Sequence, residues 1–198
     1  MNTIRYIEKS NNSNSSIYYE KIKNIINSFK SSCNHVTTIK FIRSSFPNKN
    51  NNIKKQEHRI EDFTRILLIH SKKPLDENMI LYLLSKSSFL KRLDNCCNLY
   101  GTLDYAHARS IVFTICSLVI YSGRYHISYN IYKLIYYCIN IINLIFDSQN
   151  KQLSNECKLC ISILHKDNKA CLDLSRHISS FYDIKYINIV NSFVSGFI

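Results

Sequence analysis

From Ser110 to Ser122 the chain carries no charged residue. Within that run Ile111, Val112, Phe113, Ile115, Cys116, Leu118, Val119 and Ile120 fall on every side of a helix, so no polar face is left. A helix that is apolar all round is either a membrane span or a helix wrapped by others. A span needs about 20 residues, and this run has 13. The stretch Leu103–Ser122 is therefore read as a core helix, with Asp104, His107 and Arg109 forming a charged mouth at its N-terminal end. Such a helix keeps a chain out of the membrane only if amphipathic helices sheathe it.

The composition agrees with that demand. Gly 3 and Pro 2 in 198 residues are too few for the turns of an all-β fold. Hydrophobic residues make up 45%, enough for a real core in a chain of single-domain length. The expected fold is an all-α bundle of seven to eight helices around a buried central helix.

Residues 1–15, rich in Asn and Ser, read as a flexible polar tail, and Ser15 or Ser16 suits the cap of a first helix. That helix, over 16–31, sets Ile17, Ile22, Ile25, Ile26 and Phe29 to one side. Val36–Ile42 fits either a turn of helix or an extended piece. Residues 47–56 are a loop by composition. A helix over 57–71 carries Ile60, Phe63 and Leu67 on an apolar stripe, with Glu61, Asp62 and Arg65 off it, and Pro74 stops it. Asp76 caps a segment running to Leu84, and 88–99 follows with Phe89, Leu90, Leu93, Cys96 and Cys97 on one side. Gly101 is a natural helix terminator. After a break at Ser122–Gly123, a strongly apolar helix covers 127–147, and shorter ones cover 153–165 and 168–182. The domain is thus bounded as 16–183, and 184–198 is a mildly apolar C-terminal tail, helical by pattern, that falls short of a membrane anchor.

The formal charge of +12 would attract nucleic acid, acidic lipid or an acidic peptide. The cations are scattered, with pairs only at Lys54–Lys55, Lys72–Lys73 and Lys91–Arg92, so no nucleic-acid arm is read and no nucleic acid is expected. The opening MNTIRYIEKSNNSNSS lacks the apolar centre of a signal peptide, and Cys116 and Cys138 sit in apolar helical patterns. A reducing, cytoplasmic setting is the expectation. Cys157-x-x-Cys160 with Cys171 and His177 contains zinc-ligand types. The second pair is looser than usual zinc spacings, and no turn residue lies between the first two cysteines. A basic zinc or nucleic-acid module is kept as the alternative of a different class, and no cofactor is expected. There is no glycine-rich phosphate loop, HExxH or nucleophile elbow, so an enzyme is not expected. Glu61–Asp62 and Asp76–Glu77 read as ordinary helix-terminal charges.

The stretch NLYGTLDYAHARSIVF (98–113) places Leu99–Tyr100, a short link, Ala106–His107–Ala108–Arg109 and then Ile111–Val112–Phe113 in order. EDFTRIL (61–67) and YYEKIKNIINSFKSS (18–32) precede it. This layout resembles the Bcl-2 family of apoptosis regulators, and most of all its diverged viral members, such as those of poxviruses. The family's Asn, Trp and Gly before the arginine stand here as Ala106, His107 and Ala108. The resemblance implies a Bcl-2-like bundle that binds amphipathic helices of host pro-apoptotic proteins in a surface groove, in the cytoplasm at host mitochondria. It assigns Phe63, Leu67, Leu90, Leu93 and Phe113 to the groove, and Arg109 to the ligand's aspartate, whose carboxylate a guanidinium matches bidentately. The apolar five fit plain core packing as well, and Arg109 fits a helix cap or a pair with Asp104 or Asp94. Some viral relatives instead block innate immune signalling by binding adaptors. A homodimer and a weak association with membrane surfaces are both compatible with the pattern.

Overall fold

The computed structural model describes residues 2–47, 52–98, 105–146 and 168–196, with side chains from Asn14 onward apart from those of Asn98, Tyr105, Ile145 and Phe146. Among these residues there are nine helices and no strand: α1 (Asn2–Ile26), α2 (Cys33–Ser45), α3 (Ile53–His70), α4 (Glu77–Lys86), α5 (Phe89–Asn98), α6 (Tyr105–Arg124), α7 (Tyr129–Phe146), α8 (Asn168–Ser179) and α9 (Ile184–Gly196). The protein is an all-α bundle. Leu99, Tyr100, Gly101 and Asp104, the helix expected over 153–165, and Cys157 and Cys160 lie outside the described residues.

Every residue from Ile111 to Tyr121 of α6 is buried, and α6 packs against α3, α5, α7 and α8. By length and composition this is the one helix among the described residues that would cross a membrane, yet in the fold its apolar turns lie inside the protein. The break expected at Ser122–Gly123 comes two residues later. The helix continues because its end closes another: the Arg124 guanidinium donates to the carbonyls of Leu68 and Ile69, and the Tyr125 hydroxyl to that of Ser71 (2.7 Å). A cation there satisfies carbonyls that the last turn of α3 leaves open.

Two apolar cores result. The larger joins Ile22 and Ile26 of α1, Leu84 of α4, Phe89 and Leu93 of α5, α6 itself, Ile131, Leu134 and Cys138 of α7, and Leu174 and Ile178 of α8. The smaller joins Ile39 and Ile42 of α2, Ile60, Phe63, Ile66 and Leu67 of α3, Leu83 of α4, and Val190 and Phe193 of α9. Helix α3 supplies both, because its Leu68 and Ile69 turn into the larger core.

The structure settles several local questions. The undecided stretch 36–42 is helical, since Ile39 and Ile42 share a buried face. Its β-branched Thr37 and Thr38 bond back to the carbonyls of Cys33 and Asn34 (3.1 and 2.9 Å). Helix α1 starts at Asn2 and runs through the polar stretch, and Ser15 is buried inside it rather than capping it, with its carbonyl accepting from the Cys97 thiol (3.8 Å). Asp76 is the cap of α4, taking the Asn78 N–H at 3.1 Å. Residues 184–196 form α9 and pack on α3: Phe193 lies 5.2 Å edge-on from Phe63 and 5.0 Å from Phe41.

Candidate functional site

Glu61 and Arg65, placed off the apolar stripe by the sequence and with Glu61 read as an ordinary helix-terminal charge, lie inside the protein. Glu61 is completely buried and Arg65 is 4% exposed. They are inside because they are matched there. The Glu61 carboxylate takes the Arg65 guanidinium at 2.5 Å and faces Arg92 at 3.3 Å. It also accepts from the hydroxyls of Ser88 and Thr114, the latter at 2.9 Å. Arg65 continues to Thr114 (2.8 Å), the Ser110 carbonyl (2.8 Å), Asp62 (2.9 Å) and the Tyr182 hydroxyl (3.0 Å). Arg92 reaches Ser110 and the His58 ring (2.7 Å). The Glu61 carboxylate thus ties α3 to α5 and α6, and Arg65 and Asp62 extend the tie to Tyr182 in the turn after α8.

The electrostatics follow from that set. Burial pushes the Glu61 carboxyl up, but Arg65, Arg92 and the two hydroxyls outweigh it and hold it below its ordinary value. Burial raises Asp62, against the pull of Arg65. Burial pushes the Tyr182 phenol up to about 12. Burial and the adjacent Arg92 depress His58. Glu61 is therefore held ionised with both oxygens engaged. That is the state of a structural tie and not of a proton acceptor.

The structure scatters the other expected site residues. Phe63 and Leu67 are interior to the smaller core; Leu93 and Phe113 belong to the larger one, with Leu90 half-buried against it. Arg109 is half-buried, its guanidinium over the rings of Phe181 (4.7 Å) and Phe113 (5.7 Å). Ala108, at the expected close approach, is buried. Among the described residues no three His, Cys, Asp or Glu side chains converge as metal ligands. Cys171 bonds toward the Ile120 carbonyl (3.9 Å), and His177 lies edge-on to Phe113 (5.9 Å) and Phe181 (5.3 Å).

A cleft of about 790 Å³ opens elsewhere, between α2, the start of α3 and the end of α4. Its walls offer apolar surface from Val36, Ile39, Ile53 and Ile60, and the ring of Tyr82. Val36 and Ile53 are 47% and 74% exposed, which is unusual for aliphatic side chains facing a concave surface. Lys40, Arg43 and Lys86 stand around it, against one acid, Glu57. Arg109 is not among the residues that border it. The Glu61 tie lies behind this cleft: Ser88 donates its N–H to the Glu57 carbonyl (3.3 Å), which fixes the start of α3 against the turn between α4 and α5. The sequence reading missed the cleft because Val36, Ile39 and Lys40 lie on the segment whose structure was left open.

No protein-family model, no curated protein and no solved structure matches this chain.

Proposed function

We propose that this protein is a Bcl-2-like binding module with α6 as its central helix, a viral-type inhibitor of host apoptosis that sequesters amphipathic helices of pro-apoptotic proteins in the host cytoplasm at mitochondria. The observation that carries the reading is the cleft between α2, α3 and α4, with exposed aliphatic walls and a rim of Lys40, Arg43 and Lys86. An amphipathic helix lays apolar anchors into such a groove and sets its acidic flank against the rim. The rim cations take the role toward the ligand's acids that the family resemblance gives to Arg109. Helix α3 carries one wall of the cleft, and its tie to α5 and α6 keeps that wall rigid, which lowers the ordering cost of binding.

Titration of the full chain with amphipathic helices from pro-apoptotic proteins, followed by fluorescence anisotropy, tests the reading. Saturable binding at micromolar concentration is expected, about tenfold or more weaker for the double variant Lys40→Glu/Arg43→Glu. No saturation by about 100 μM removes the proposal, and affinity unchanged by the charge reversal moves the ligand out of this cleft.

A further inference from the structure

Helix α7 presents a row of tyrosines to solvent. Tyr129, Tyr132 and Tyr136 are 69, 56 and 50% exposed, and steps of three and four residues set them along one side of the helix. Single exposed rings are ordinary on a protein surface, but a contiguous set marks a place of contact. The set continues onto α1, which packs beside α7. The Tyr136 ring meets Tyr137 edge-on at 5.7 Å, and Tyr137 meets Tyr18 of α1 at 5.8 Å. Ile17, beside Tyr18, is 51% exposed.

Two lysines lie among these rings. Lys133 holds its ammonium 4.3 Å from the Tyr129 centroid, and Lys21 holds its own 5.2 Å from Tyr137 and 5.7 Å from Tyr18. The acids are turned elsewhere. Helix α7 contains none. Glu20, the one acid between Asn14 and Ile26, pairs with Lys23 at 3.5 Å. Burial, then the charges of Asp94 and Glu20, raise the Tyr19 phenol, which sets Glu20 on the α5 side of α1. Glu77, at the head of α7, is taken by the Ser128 N–H at 2.9 Å. The α1–α7 face is thus rings, hydroxyl tips and two cations, with no counter-charge of its own among the described residues. That mixture suits the boundary between water and the hydrocarbon of a bilayer. A tyrosine has an apolar ring and a polar tip and collects at headgroup depth. A lysine lays its stem on apolar surface and lifts its ammonium to a phosphate. Nucleic acid suits the face less well. Its hold on a protein grows with the number of phosphates neutralised, and a single strand is tracked by a groove, whereas here two lysines stand on two helices lying side by side.

We propose that the α1–α7 face docks on an anionic phospholipid surface, with Ile17, Tyr129, Tyr132 and Tyr136 at headgroup depth and Lys21 and Lys133 on lipid phosphates. The C-terminal helix takes no part, because Val190 and Phe193 commit α9 to the smaller core. The α2–α3–α4 cleft is built from other helices, and the docking does not depend on the function proposed for it.

The test is cosedimentation of the full chain with vesicles of phosphatidylcholine alone and of phosphatidylcholine mixed with phosphatidylserine. Binding about tenfold or more tighter to the mixed vesicles is expected, and it should weaken as salt is raised. The triple variant Tyr129→Ser/Tyr132→Ser/Tyr136→Ser changes exposed positions only, and it is expected to lose about tenfold in affinity with its helical circular dichroism kept. Lys21→Glu/Lys133→Glu is expected to lose as much. Lys54→Glu/Lys55→Glu makes the same change of net charge at exposed positions of α3, and binding is expected to stay as it was. Equal affinity for the two vesicle compositions overturns the proposal, as does a failure to sediment with either. A loss from Lys54→Glu/Lys55→Glu as large as from Lys21→Glu/Lys133→Glu overturns it too, since net charge alone would then be at work. Binding to a single-stranded oligonucleotide that the tyrosine variant abolishes, without binding to vesicles, gives the face to nucleic acid and overturns it as well.

Discussion

Helices α3 and α6 pack against each other, and both are buried through their middle turns. They reach that state by opposite chemistry. Helix α6 is buried because it has nothing to hydrate between Ile111 and Tyr121 except Thr114 and Ser117, whose hydroxyls are satisfied on Glu61 and on the Phe113 carbonyl (2.8 Å). Helix α3 is buried although Glu61, Asp62 and Arg65 sit in consecutive turns of it. Its charges enter the core only because Arg92, Ser110 and Thr114 from α5 and α6, and Ser88 from the turn before α5, arrive to meet them. An apolar helix is buried by its own composition; a charged one is buried by its neighbours. The first can be exchanged residue by residue with graded loss, whereas the second fails when one partner is removed.

That contrast can be broken in four steps of decreasing size. Glu61→Ala takes the shared carboxylate from two guanidinium groups in the interior, leaving Arg65 with Asp62 as its acid, and a loss of about 3–5 kcal/mol of unfolding free energy is expected by urea denaturation. A loss under about 1 kcal/mol would mean that water reaches the cluster and that α3 is not buried as described. Leu118→Ala in α6 removes apolar volume alone, and about 2–4 kcal/mol is expected, with the native helical circular dichroism kept. Thr114→Val keeps the shape at the point where the two helices meet but deletes a hydroxyl that Glu61 and Arg65 share. A loss of about 1–2 kcal/mol is expected, and it should vanish in a background where Glu61 and Arg65 are already replaced by Leu and Met.

The smallest effect is one of pH. Burial, together with Arg92 for His58 and Arg124 for His70, depresses both imidazoles in the folded chain. The unfolded chain then binds more protons than the folded one below the ordinary histidine value of about 6.5. Stability is fully present above that value and declines as pH falls through it, and His58→Gln should flatten the decline in a series of thermal melts. An unaltered slope would detach His58 from the Arg92 contact that distinguishes α3 from α6.

Much of the architecture was legible in the linear pattern. The absence of turn residues pointed to helices, the uncharged run marked α6, and Asp76 was visible as a cap because capping is a local exchange between a side chain and an amide two residues on. Glu61 was not legible as a core residue. Its partners Ser88, Arg92 and Thr114 lie far along the chain, and no local rule separates a buried acid from a solvated one. Phe63 and Leu67 were recognised as the apolar stripe of α3. What covers them is α9, whose composition alone did not say where it would pack. The cleft was hidden for a similar reason: Lys40 and Arg43 become a rim only when α2 is helical and lies beside α3 and α4.

By itself the sequence determined that this chain would be helical and that one stretch of it had to be wrapped, because hydrophobic periodicity and the scarcity of Gly and Pro act over a few residues at a time. Only the tertiary structure decided which charges went inside, which apolar stripes became core and where a concave surface remained. Those outcomes depend on groups from distant segments meeting in space, and a buried charge or an open cleft exists only once they have met.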